Sequence, residues 1–142
     1  MKKLTIVFTI TASIVLINAQ KIQQKDIPAL VQARVQKQFP DAKNIQWEKE
    51  HGNYEAGFQS KGIKYSVLVN SSGTLLETEI PVAINSFPAQ SKAFILKKYP
   101  NQKIKETSRI TDSKGVVTYE AEVNGKDVIF DTKGNFLKET KD

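Results

Sequence analysis

Cysteine is absent from this chain. That excludes thiol catalysis, thiolate metal sites and disulfide stapling, so stability has to come from a buried apolar core. Histidine is nearly absent: His51 stands alone. A zinc site needs three or four clustered ligands, and a Ser-His-Asp triad would have to use His51, which precedes Gly52 in turn-like sequence without a nucleophile-elbow motif. Long hydrophobic runs are missing too. Leu4 to Ile17 is uncharged and mostly apolar, but it falls short of the roughly 20 residues that span a bilayer.

What is present begins with a leader. Lys2 and Lys3 precede the apolar run, and Asn18-Ala19 gives way to the polar Gln20-Lys21. This is the layout of a secretory signal peptide over residues 1–19, with cleavage expected after Ala19. The remaining residues, 20–142, are expected to form one domain, periplasmic or secreted, with no stable membrane anchor once the leader is gone. Removing the leader takes two lysines from a net charge of +6. The remaining bases are interspersed with acids along the chain rather than clustered with aromatics, so no nucleic-acid partner is expected.

The tripeptide Tyr-Glu-Ala occurs twice, at Tyr54-Glu55-Ala56 and Tyr119-Glu120-Ala121. Other landmarks are doubled as well. Ile27-Pro28-Ala29 and Phe39-Pro40-Asp41 match Phe87-Pro88-Ala89 and Tyr99-Pro100-Asn101, and the turn at Asn70-Ser71-Ser72-Gly73 matches Asp131-Thr132-Lys133-Gly134. They keep their order at nearly constant offset, which marks an internal duplication over about 26–80 and 86–139.

Each repeat opens with a helical pattern. Asp26 and Ser86 are expected as N-caps, since their side-chain oxygens can accept from first-turn N–H groups. Ile27, Leu30, Val31, Val35 and Phe39 share one helical stripe; Phe87, Phe94, Ile95 and Tyr99 make the second, weakened by Ser91. Pro40 and Pro100 stop both helices. The apolar period then changes to two. Ile45 and Trp47, then Tyr54, Ala56 and Phe58, then Ile63, Tyr65, Val67 and Val69 alternate with polar residues, and a fourth strand is expected at Leu75–Ile80. The second repeat offers strands at 103–111, 116–123, 126–131 and 135–139. The turns include Asn124-Gly125, a strong type I′ hairpin signal. Pro81 to Asn85 would link the halves. The expected fold is α+β: a tandem repeat of helix plus four antiparallel strands, with two helices covering one face of a curved antiparallel sheet and the other face open to solvent.

The pattern Ile-Pro…Phe-Pro-Asp-Ala…Trp-Glu-Lys-Glu…Tyr-Glu-Ala-Gly-Phe…Gly…Leu-Glu-Thr-Glu resembles the PepSY-like domains of exported Bacteroidota proteins, also described as similar to the β-lactamase-inhibitor-protein fold. The resemblance runs from about Asp26 to Glu139. It implies tandem helix-plus-four-strand units in a curved sheet, in agreement with the independent reading. It carries no functional residue across, because a shared fold does not transfer function.

No catalytic set, cofactor site or metal site is expected. Asn70-Ser71-Ser72 matches a glycosylation sequon, but its turn chemistry explains it. Trp47 is expected in the core, since it shares a face with Ile45. Glu48, Glu50 and Glu55 alternate with core residues and read first as a wetted face, with Lys49 and Lys64 nearby to pair with them. If that face binds anything, Glu48, Glu50, Glu55, Gln59 and Glu120 are the surface it would use. The function expected is an exported, non-enzymatic binding module that binds or restrains a protein partner. The alternative is a small-ligand or cation-binding protein using the same acidic residues.

Overall fold

The computed structural model describes residues 20–141; the expected leader lies outside the described residues. Eleven principal elements follow in order: β1 (Gln20–Ile22), α1 (Ala29–Gln38), β2 (Lys43–Glu50), β3 (Asn53–Ser60), β4 (Ile63–Val69), β5 (Leu75–Pro81), α2 (Ala89–Lys98), β6 (Ile104–Asp112), β7 (Val117–Val123), β8 (Lys126–Phe130) and β9 (Phe136–Lys141). The strands form one sheet in chain order, every neighbouring pair antiparallel. The expected helix-plus-four-strand plan is present twice.

Three tight hairpin turns join the strands by the same chemistry. His51-Gly52, Lys61-Gly62 and Asn124-Gly125 all have positive φ at both central residues, as a type I′ turn requires. The longer turns are built on a side chain. Asn70, Asp112 and Asp131 each accept backbone N–H bonds from residues two and four ahead, at 2.8–3.1 Å. The amide oxygen of Asn70 is therefore engaged in shaping its own turn.

Two helix details differ from expectation. Asp26 and Ser86 are not N-caps; they end short 3-10 turns at Gln24–Asp26 and Ile84–Ser86. Ile27 and Phe87 precede proline and are extended, which the proline ring enforces, so neither helix can begin before Pro28 or Pro88. Pro28 and Pro88 occupy the N-cap positions without a side-chain cap. Leu30 leaves the expected stripe and is 63% exposed, because Val31 and Val35 define a core-facing line that Leu30 misses by one position. In the second helix Ser91 is fully buried, its hydroxyl donating to the Pro88 carbonyl at 2.6 Å.

The helices cover the same face of the sheet, each over its own core. Under α1 lie Ile27, Val31, Val35, Trp47, Ala56, Phe58, Val67 and Val69. Under α2 lie Phe87, Ile95, Tyr99, Ala121, Val123, Val128 and Phe130. Trp47 is a core residue, as expected, although its buried Nε1 has no hydrogen-bond partner. On this side α2 is also tied to β9. Glu139 accepts from Lys126 at 2.8 Å, from Lys98 at 3.0 Å and from the Tyr99 hydroxyl.

These three donors, Lys126 foremost, hold the Glu139 carboxyl down at about 2. Burial, then the Glu139 bond, pushes the Tyr99 hydroxyl up to about 12. A depressed carboxylate pKa contributes stability above its ordinary value and loses it as pH falls toward the folded value. Glu139→Gln is therefore expected to melt below wild type at neutral pH, and the two melting curves should converge near pH 2. A gap that persists unchanged at that pH would show that the charge of Glu139 is not what ties α2 to β9.

The sequence reading missed β1 and misplaced the repeat boundary. β1 pairs with β2 through Ile22↔Trp47, Lys21↔Glu48 and Gln20↔Lys49. The second half of β5 does the same for β6: Pro81↔Ser108 and Ile80↔Arg109, continued by the Val82 N–H donating to the Thr107 carbonyl at 3.0 Å. The offset that relates Ala29 to Ala89 also relates Ile22 to Val82. Each repeat thus opens with a strand laid along its own first hairpin. β5 closes the first repeat on β4 and opens the second on β6, so what was expected to be a linker is partly sheet.

Candidate partner-binding face

Alternation sends Tyr54, Ala56 and Phe58 toward α1 and leaves Glu55, Gly57 and Gln59 on the opposite face. Strand register then decides which polar residues meet across that face. Glu48 stands directly opposite Glu55. The same rung continues through Leu68 and Glu77 to Asp112. A second rung runs Gly57, Ser66, Glu79, Ile110. In the other half, Glu106 faces Glu122, which faces Asp127. Like charges directly opposed on one face destabilise a sheet, yet this face collects most of the fifteen acidic residues of the chain.

The face is concave. A groove of about 730 Å³ crosses it from Glu50 to Asp127 and takes lining from both halves of the sheet, including Leu68, Glu79, Ser108 and Ile110. Among the described residues no helix lies over it. Some charges are answered locally. Lys105 bonds Glu122 at 2.9 Å, with the Glu122 side chain only 13% exposed, and the Ser66 hydroxyl donates to Glu55. Lys64 also lines the groove.

Glu79 sits at the centre. Burial pushes its carboxyl above the usual carboxylate range; a hydrogen bond with Ser108 opposes the rise, and the charges of Glu55, Glu106 and Glu77 add to it. A raised carboxylate pKa gives stability when the group is protonated, and that stability is lost as pH climbs through the folded value. Glu79→Gln is accordingly expected to raise the melting temperature at neutral pH, with the gain vanishing toward acid. A variant that melts lower than wild type at neutral pH would contradict this account.

The structure brings Glu48, Glu50, Glu55, Gln59 and Glu120 to the same face. Glu48 and Glu55 form one rung; Gln59 lies between Lys43 and Lys64. Glu120 lies between Ser108 and Ile129 in the other half. Glu55 and Glu120 are equivalent in the two repeats, each beside a large apolar residue, Leu68 and Ile129. Sequence reasoning missed Glu77, Glu79, Glu106, Glu122 and Asp127. Extending the alternation of Leu75–Ile80 and 116–131 would have put Glu77, Glu79, Glu122 and Asp127 on the open face. Among the described residues no group of three His, Cys, Asp or Glu side chains is arranged to hold a metal ion. His51 is in an exposed turn, 3.7 Å from Glu50.

The chain is similar to several solved structures from Bacteroides species. One is a DUF2874 family protein from Bacteroides uniformis, 19% identical, covering 80% of this chain and 88% of that one, with a TM-score of 0.68. A protein from Bacteroides eggerthii described as periplasmic is 16% identical over 80% and 88%, with a TM-score of 0.69. A BLIP-like protein from Bacteroides fragilis is 25% identical over 80% and 86%, with a TM-score of 0.61. No curated protein matches the sequence. The family described as "Putative beta-lactamase-inhibitor-like, PepSY-like" matches residues 1–77 and 53–138. With that coverage and a shared helix-on-sheet architecture, the chain belongs to the PepSY-like family.

Proposed function

We propose that this protein is an exported binding module that docks a protein partner in the open concave face of its sheet and performs no chemistry on it. The observation that carries this reading is the groove of about 730 Å³ across that face, uncovered by either helix and lined by both repeats. Concave sites that gather a few polar groups from several strands are where partners and ligands dock by default. The Bacteroides eggerthii relative described as periplasmic and the leader layout of residues 1–19 support export, with cleavage after Ala19. The BLIP-like relative supports a role in binding a protein.

The test is affinity capture from periplasmic extract of the native host, with wild type and a Glu55→Lys/Glu120→Lys variant as baits. The expected result is a stoichiometric partner held by wild type and lost by the folded variant. Failure to recover any stoichiometric partner, or equal capture by the variant, would overturn the proposal. N-terminal sequencing of the exported protein checks the cleavage bond.

A further inference from the structure

The open sheet face has a chemistry of its own that the composition of the chain conceals. The net charge is +6, or +4 once the leader's Lys2 and Lys3 are removed. Many bases lie on the other side, among them Arg34 and Lys37 on α1, Lys92, Lys97 and Lys98 on α2, and Arg109 on the helix-side rung with Tyr119, while Lys21, Lys43, Lys64, Lys105 and Lys138 share the open face with a larger number of acids. The open face holds opposed carboxylates at Glu48↔Glu55, Glu77↔Asp112 and Glu106↔Glu122. A cationic ligand is opposed by the net positive charge of the molecule and drawn to the groove, whose charged lining is mostly acidic, so charge favours both the ligand and where it lands.

Resting on the binding role proposed above, we infer that the segment seated in the groove is an extended polypeptide rich in lysine and arginine. Three features argue for a chain rather than a small cation. The groove spans β2 to β8, which at the usual strand spacing is about 30 Å, the length of roughly nine extended residues. Its lining includes the apolar Leu68 and Ile110, each on a rung beside a carboxylate, and lysine and arginine stems pack on apolar surface while their charged heads reach outward. No three acids among the described residues are arranged as a metal site. An arriving cation also relieves like-charge opposition across this face, as Lys105 already does at Glu122.

The experiment measures fluorescence anisotropy of a labelled nonapeptide alternating lysine or arginine with neutral residues, against a glutamate counterpart. The basic peptide is expected to bind at one per protein. Its affinity should fall about tenfold between about 50 and about 200 mM NaCl, as screening of an exposed charged interface requires. Glu55→Gln/Glu77→Gln/Glu106→Gln should cost at least about tenfold, and the helix-side variant Asp26→Asn nothing. Melting curves confirm that each variant is folded.

Equal binding of the glutamate peptide, or binding unchanged by the triple variant, would overturn the inference. So would sedimentation showing that wild type self-associates through the same carboxylates, since a second copy's basic helix side would then be the occupant. If the basic peptide fails while the captured partner still depends on Glu55 and Glu120, the inference falls and the binding role stands. If the captured partner ignores this face, both fall.

Discussion

Val35→Asp is expected to abolish cooperative unfolding and leave the chain unfolded in dilute buffer. Val35 and its neighbour one turn earlier, Val31, are fully buried against Trp47, Ala56, Phe58, Val67 and Val69. An unpaired carboxylate there has no cation and no water. It would cost roughly 5 kcal/mol, which reaches the low end of the about 5–15 kcal/mol by which a whole domain is stable. Leu30→Asp is the control: it lies on the same helix, is 63% exposed, and should shift the melting temperature little.

The shared strand makes a sharper forecast. β5 completes the first half and pairs with β6 of the second, so losing the first half strips β6 of its neighbour. Val35→Asp and Ile95→Asp should each take down the whole sheet, even though the two cores do not share a buried residue. Far-ultraviolet circular dichroism and hydrogen exchange check this. Persistent protection in β7 and β8 of the Val35→Asp variant would mean that the halves fold independently.

Gly134→Ala and Gly73→Ala should each cost about 3 kcal/mol, lowering the melting temperature by about 10 °C. Both glycines have positive φ, +87° and +81°. Both also press against the first turn of the helix in their own repeat. A Cβ on Gly134 would stand 2.7 Å from Pro88 Cβ and 3.2 Å from the Ser91 nitrogen; one on Gly73 would stand 2.9 Å from the Leu30 carbonyl oxygen. Those neighbours are backbone or ring atoms, so the turn or the helix must move. Gly62→Ala separates the two contributions. It shares the positive φ, +79°, but nothing lies within 4 Å of an added Cβ, so it should cost only the backbone strain of about 1–2 kcal/mol. Equal losses at Gly62 and Gly134 would show that close packing of turn on helix contributes nothing.

Much of this was legible residue by residue. The change of apolar period from helical to alternating separated α1 from β2 and α2 from β6, and the Xaa-Gly pairs located the hairpins. Besides Leu30, which misses the core stripe, three things escaped. β1 is only three residues long, too short for a period to show. Asp26 and Ser86 have the residue type of an N-cap, but proline holds Ile27 and Phe87 extended and so moves both helix starts past them. The candidate surface follows β2, β3 and the doubled Tyr-Glu-Ala, which includes Glu55 and Glu120 and leaves out Glu77, Glu79 and Glu106 on β5 and β6.

The sequence by itself determined the local alphabet of this protein. It specified two helices that end before proline, turns that need glycine, strands with one apolar side, and a duplication carried by Tyr-Glu-Ala. These are properties of neighbours a few residues apart, where sterics and periodicity act. The distribution of charge was decided only by the tertiary structure. Acids and bases alternate along the chain without a cluster, but strand register carries Glu48 to Glu55, Glu77 to Asp112 and Glu106 to Glu122, while the helices carry Lys37, Lys92, Lys97 and Lys98 to the other side. Register pairs residues that are far apart in sequence, and a slip of one position would turn every carboxylate on a strand to the opposite face. The acidic groove is therefore a product of the assembled sheet.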